Sequence, residues 1–196
     1  MNTDNTTISG ETIDYGPCAF LDAFDPAAVF SSIDHRGRYA YGNQPAVLKW
    51  NLARFAETLL GLVDETPDDA ITAVSAVLHT FDARYDAHFA TGMASKLGMQ
   101  VPDRGLVDDL LTIMEQQRAD WTNTFRALAE ELRGNPTPLD VVVSRESIGP
   151  WLTRWRELLT GDADEIADAM DRVNPLYIPR NHRVDAALRA ATDGDM

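Results

Sequence analysis

Gln44-Pro45-Ala46-Val47-Leu48-Lys49-Trp50-Asn51-Leu52-Ala53-Arg54-Phe55-Ala56-Glu57-Thr58-Leu59-Leu60-Gly61-Leu62 is the stretch on which the fold turns. Leu48, Leu52, Phe55, Leu59 and Leu62 step by 4, 3, 4 and 3 residues. That spacing lays one apolar stripe along a helix. Pro45 suits the first helical turn, where its missing N–H has no partner to lose. Asn43-Gln44-Pro45 therefore reads as the entry from loop to helix.

Downstream the same periodicity returns. Thr66-Pro67-Asp68-Asp69 is a helix start, with Thr66 as N-cap and acids in the first turn. Ile71, Val74, Leu78, Phe81, Tyr85 and Phe89 continue as one stripe. Pro102-Asp103 opens a helix carrying Leu106, Leu110, Ile113 and Met114, with a break expected near Asp120 before Trp121, Phe125, Leu128 and Leu132. Gly134-Asn135-Pro136-Thr137-Pro138 is the clearest linker signal. Val141-Val142-Val143 fits a short strand or a buried helix. Trp151, Trp155 and Leu158 mark a short helix. Gly161-Asp162 caps another with Ile166, Met170 and Val173, and Asn174-Pro175 stops it. A last amphipathic helix covers about 181–191. The four tryptophans, Trp50, Trp121, Trp151 and Trp155, fall on apolar stripes and are expected in the core.

Ahead of this body the chain reads differently. Thr6-Thr7-Ile8-Ser9 is a mostly β-branched run, Gly10-Glu11 a two-residue turn, and Thr12-Ile13 the return of a small β-hairpin. That hairpin would bring Asp14 back beside Asp4 and Asn5. Two carboxylates and an amide are hard oxygen donors of the kind that hold Mg²⁺ on a nucleotide. The fold class expected is therefore mainly α with a small β-hairpin. A helical lobe with a metal-binding hairpin at its edge has the layout of the C-terminal lobe of a protein kinase. In that layout Asn5 takes the catalytic-loop Asn role and Asp14-Tyr15-Gly16 the Asp-Phe-Gly role.

Composition limits the function classes. The chain has 196 residues and a formal charge of −14, from 31 acidic and 17 basic side chains. So acidic a chain is a poor general nucleic-acid binder, since phosphate contacts need Lys and Arg. No apolar run reaches the length of a membrane span and no secretory leader is visible, so the expected setting is cytoplasmic. The single cysteine, Cys18, forbids an internal disulfide and reads as a small buried hydrophobe. His79 and His88 are nine apart, which is no helical metal pair. His35, with Arg36 and Arg38, could meet a phosphate or an acidic acceptor, or pair with nearby acids. Arg180, His182 and Arg183 read as a helix-end salt-bridge group.

The longer run of residues is more specific. Met1-Asn2-Thr3-Asp4-Asn5, Thr12-Ile13-Asp14-Tyr15-Gly16-Pro17, Phe20-Leu21-Asp22 and Asp25-Pro26 resemble the SelO family (selenoprotein O, also called YdiU). Gly37-Arg38-Tyr39-Ala40, Asn43-Gln44-Pro45, Trp50-Asn51-Leu52 and Lys96-Leu97-Gly98 continue the likeness in order. So do Thr122-Asn123-Thr124-Phe125-Arg126, Asn174-Pro175-Leu176-Tyr177 and Arg180-Asn181. The resemblance implies a pseudokinase-like fold that transfers AMP from ATP to Ser, Thr or Tyr hydroxyls of acceptor proteins. It implies Asp4 as catalytic base, Asn5 and Asp14 as ligands of Mg²⁺ (or Mn²⁺ in its place), and Asp14 also against the nucleotide phosphates. The domain expected is a single partial one over 1–196, with 1–43 the metal hairpin and an activation-type loop, and 44–196 the helical body.

The family pattern also includes an N-terminal ATP-binding lobe, absent here, so Met1 reads as an internal Met and the chain alone as inactive. The activation-loop Cys of some relatives falls at Phe30, so redox control of that type is not expected. Two other readings stand beside adenylyl transfer: a kinase-superfamily phosphotransferase using Asn5 and Asp14, and a non-enzymatic helical interaction module.

Overall fold

The computed structural model describes residues 3, 6–11 and 19–195. They fold as two compact units: 26–89 with the described residues before 16, and 19–25 with 90–195. The helices, in order, are α1 (Gln44–Val63), α2 (Pro67–Leu78), α3 (Phe81–Lys96), α4 (Arg104–Gln117), α5 (Trp121–Leu132), α6 (Thr137–Val142), α7 (Arg145–Leu158), α8 (Ala163–Val173) and α9 (Asn181–Thr192).

The expected mainly α character holds, but the β-hairpin does not. Among the described residues there is no strand, only an isolated antiparallel bridge between Ala23 and Asp120. Residues 8–11 form a bend. The reason is local. Thr7 Oγ1 and Ser9 Oγ hydrogen-bond at 2.9 Å, and Ser9 Oγ accepts the Glu11 N–H at 3.3 Å. A side chain thus takes a donor that a ladder would use. Ile8 is 83% exposed, so the segment has no apolar face to lay on a core. The kinase-like C-terminal lobe rested on that hairpin for its layout and loses that support.

In the first unit, α1 packs on α2, and Val47 and Ala70 are buried. The single stripe expected from Ile71 to Phe89 is broken at His79 and Thr80, where Thr80 Oγ1 donates to the Val77 carbonyl at 2.8 Å. Phe81, Tyr85 and Phe89 then stack at i, i+4 spacing along α3. Thr66 is the N-cap of α2 as expected, its carbonyl accepting the Ala70 N–H at 3.0 Å, though its side chain makes no capping bond; Asp64 Oδ1 accepts the Thr66 N–H at 2.8 Å. Much of the expected apolar face stays open. Phe55, Val63 and Val77 are exposed and line a groove of about 630 Å³ with Leu52, Leu59 and Phe81.

The second unit holds the larger core. Leu97, Leu106, Leu110, Met114, Phe125, Leu128, Leu139, Ile148, Trp155 and Met170 are fully or nearly fully buried. α5 packs against both α6 and α8, and α4 against α7. Asp103 and Asp162 cap α4 and α8 as expected: Asp103 Oδ1 accepts from Leu106 N, and Asp162 Oδ1 from Asp164 N and Glu165 N. The Val141–Val143 run is the end of α6 and not a strand. α7 is longer than expected and runs through Pro150, held by buried Ile148, Trp151, Leu152 and Trp155. The indole N–H groups of Trp151 and Trp155 donate to the Leu106 and Leu97 carbonyls at 2.8 and 2.9 Å. That satisfies the polar tip of each buried ring.

α3 ends in a Schellman turn. Gly98 N donates to the Ser95 carbonyl and Met99 N to the Ala94 carbonyl, with Gly98 at φ 68°. A left-handed backbone is needed there, and so is the missing Cβ: one built on Gly98 would lie 2.5 Å from Ile166 Cγ2. Trp50 departs from the expected core placement. It is 44% exposed, with the Arg38 and Arg54 guanidinium groups 4.6 and 5.3 Å from its ring centroid.

Candidate functional site

Asp4, Asn5, Asp14 and Cys18 lie outside the described residues. What the structure gives is the surface built by their neighbours in the first unit. Thr3, Thr6, Thr7 and Ile8 line a groove of about 860 Å³ together with Trp50, Asn51, Arg54 and Thr58 of α1. Asn51 ties the segment to the helix: its Nδ2 donates to Thr6 Oγ1 at 3.3 Å. The same side chain is 4% exposed, and its Oδ1 is buried with no hydrogen-bond partner among the described residues. An orphaned buried carbonyl is rare in a folded chain and marks a position where a further donor or cation belongs.

Sequence reasoning gave Asn51 no role beyond the Trp50-Asn51-Leu52 likeness. The signal was present in the periodicity. Asn51 sits three residues after Leu48, on the side of α1 that turns inward, where an unpaired amide is expensive.

The loop before α1 is held rigidly. Asp34 Oδ1 accepts the Arg38 N–H at 3.0 Å and Oδ2 accepts the Tyr39 N–H at 2.8 Å. Those backbone donors, Tyr39's first, hold the Asp34 carboxyl below its usual pKa, opposed by partial desolvation. Asn43 Nδ2 donates to the Gly37 carbonyl at 2.8 Å. The side chains of His35, Arg36 and Arg38 are left exposed by this arrangement.

The second unit contains the remaining motif residues, and they are joined by polar contacts. Lys96 Nζ donates to Asn174 Oδ1 at 2.7 Å, and Asn174 Nδ2 donates to the Lys96 carbonyl at 2.9 Å. The ammonium lies 4.2 Å from the Phe125 ring centroid and 5.7 Å from that of Trp121. Burial lowers its pKa to about 8. Arg126 pairs with Asp171 and donates to the Asn174 carbonyl. Arg180 bridges Asp22 and Asp120, while Asp120 also caps α5 through Asn123 N. Hydrogen bonds from Asp120, foremost, and from Asp22 raise the Arg180 pKa above its ordinary value, against some desolvation. Asn181 pairs with both backbone groups of Phe20. The salt-bridge reading of Arg180 is thus the right one. Phe20, Asp22, Lys96, Arg126, Asn174, Arg180 and Asn181 serve to hold helix ends together.

Among the described residues, no three His, Cys, Asp or Glu side chains converge to hold a metal ion, and no helix is long and apolar enough to cross a membrane.

Comparison with known proteins accounts for the motif pattern. A family model described as "Protein adenylyltransferase SelO" matches residues 1–196. A "Protein nucleotidyltransferase YdiU" of Rhodococcus jostii is 77% identical over 199 residues, covering 99% of this chain and 39% of the relative. Proteins of the same name in Mycolicibacterium smegmatis and Rhizobium leguminosarum are 54% and 51% identical, across 100% and 98% of this chain. They are covered to 39% and 40% of their own length, so the chain spans about two fifths of the curated relatives it matches. With the match running from its first residue to its last, the chain belongs to the SelO family.

Proposed function

We propose that this chain carries the catalytic and metal-binding residues of a protein adenylyltransferase, which moves AMP from ATP to Ser, Thr and Tyr hydroxyls of acceptor proteins. The observation that carries the reading is the family match over the whole chain, joined to relatives named as protein nucleotidyltransferases. In this reading Asp4 is the general base, and Asn5 and Asp14 hold Mg²⁺ or Mn²⁺. The donor set fits such an ion, because two carboxylates and an amide oxygen are hard ligands. The orphaned Asn51 Oδ1 agrees with it, as an unfilled acceptor beside Thr6, the residue after Asn5. When bound, the ion neutralises charge on the nucleotide phosphates.

The chain's own residues do the rest. An alcohol is a weak nucleophile at neutral pH, and Asp4 takes its proton as the new O–P bond forms at the α-phosphorus. The bond from that phosphorus to the bridging oxygen breaks, and pyrophosphate leaves with the electron pair. Asp14 lies against the phosphates. The Asn51–Thr6 hydrogen bond anchors the chain one residue after Asn5, and an anchor of that kind reduces the ordering that nucleotide binding must supply.

The test uses ATP labelled at either the α- or the γ-phosphate, with Mg²⁺ and acceptor proteins. The reading expects protein-bound label from the α position only, lost in Asp4→Ala and Asp14→Ala. Label transferred from the γ-phosphate would assign phosphoryl transfer instead.

A further inference from the structure

In a chain of charge −14, residues 31–54 hold Arg36, Arg38, Lys49 and Arg54 against Asp34 alone, four basic side chains to one acid. Two of the four are engaged: Lys49 with Asp82 at 2.6 Å, and Arg54 with Glu57. Among the described residues, Arg36 and Arg38 have no carboxylate partner. Arg38 is laid over Trp50 at 4.6 Å, on a backbone fixed by both oxygens of Asp34. A guanidinium stacked on an indole keeps its N–H fork for an incoming carboxylate, and its position is set in advance. Phe30, Ile33 and Trp50 are exposed on the same unit, at 53%, 84% and 44%.

Location adds to chemistry. Trp50 and Arg54 line the same 860 Å³ groove as Thr3 and Thr6, the sequence neighbours of Asp4 and Asn5. We propose that this face, Arg38 stacked on Trp50 with Arg36 two residues before it, docks an acidic segment of the acceptor protein and so holds its hydroxyl for adenylyl transfer. The charge is complementary to a carboxylate-bearing chain and opposed to the rest of this acidic surface, which repels such a chain elsewhere. Local attraction set in general repulsion favours one orientation of encounter. The choice of hydroxyl as acceptor rests on the adenylyl-transfer reading; the docking itself does not.

The experiment measures binding first, without ATP. Fluorescence anisotropy follows a labelled Thr-containing peptide flanked by Glu residues, and its isosteric Gln counterpart, on the protein. The acidic peptide is expected to bind at least tenfold tighter, and to lose that advantage in Arg36→Glu/Arg38→Glu and at high salt. Equal binding of the two peptides, or a preference untouched by the charge reversal, overturns the proposal. The second arm measures KM for ATP and for an acidic acceptor. A tenfold rise confined to the acceptor supports docking. A rise confined to ATP assigns the arginines to phosphate and overturns it. Absence of AMP transfer by the chain alone bears on the adenylyl-transfer reading only, and the binding arm decides the docking site by itself.

Discussion

Replacing Gly98 by alanine is expected to destabilise the second unit by about 1–4.5 kcal/mol, and two separable causes make up that figure. The first is backbone. At φ 68° an L side chain meets the following carbonyl, at about 1–2 kcal/mol, offset by about 0.4–1 kcal/mol from the stiffer unfolded chain. The second is overlap. The new Cβ would sit 2.5 Å from Ile166 Cγ2 and 3.1 Å from Met170 Sδ, against the roughly 3.5–4.0 Å of ordinary carbon contact. Both neighbours belong to α8, whose Met170 is fully buried, so relief requires the helix to move, at about 1–3 kcal/mol. Gly134 supplies the control. It too has a positive φ, 79°, but a Cβ placed there would meet nothing within 4 Å, so Gly134→Ala carries the backbone part alone, about 1 kcal/mol. Urea unfolding followed by tryptophan fluorescence reads the differences. In an Ile166→Ala background, Gly98→Ala should move toward the Gly134→Ala level, the Met170 contact remaining, with a coupling of about 1–2 kcal/mol. A Gly98→Ala cost equal to that of Gly134→Ala in the unaltered protein, or no coupling to position 166, would refute the overlap argument.

Arg180→Ala leaves Asp22 and Asp120 facing each other without their cation, and should lower stability by about 2–4 kcal/mol in denaturant titration. Arg180→Lys keeps the charge but loses the fork, and should recover only part of that; full recovery would show that geometry is unimportant there. Lys96 gives a pH signature. Its pKa is lowered to about 8, so between that pH and the unfolded value of 10.5 the unfolded chain binds more protons and stability rises with pH. Relative to Lys96→Met, the wild type should gain about 1–3 kcal/mol between pH 7 and 10.5, and a flat difference would contradict the burial. Arg118 holds φ 50° in a second Schellman turn, and Arg118→Gly should raise stability by about 0.5–1 kcal/mol in the same assay.

The helices were readable where the pattern and its punctuation agreed. Pro45 begins α1, and Asp103 and Asp162 cap α4 and α8, because the first turn of a helix must satisfy its own donors from nearby sequence. Readings failed where a local rule met a competing bond. The threonines of 6–7 suggest a strand, but Ser9 captures the Glu11 N–H. Trp50 fits the apolar spacing, yet lies outside the core, because two arginines solvate its face.

For the site, the residues proposed for catalysis came from the order of short motifs alone. The fold adds the contact of their sequence neighbour Thr6 with Asn51. Asn51 is silent in sequence except as a polar residue on an inward-turning stripe, and only packing shows its Oδ1 without a partner among the described residues. Sequence by itself determined the helical periodicity, the caps and the family, since these are written in residues close together or in fixed order. Tertiary structure alone decided which polar motif residues pair: Arg180 with Asp120, Lys96 with Asn174, and Asn181 with Phe20. Those partners lie from 60 to 161 positions apart, and only chain folding brings such groups within reach of a hydrogen bond.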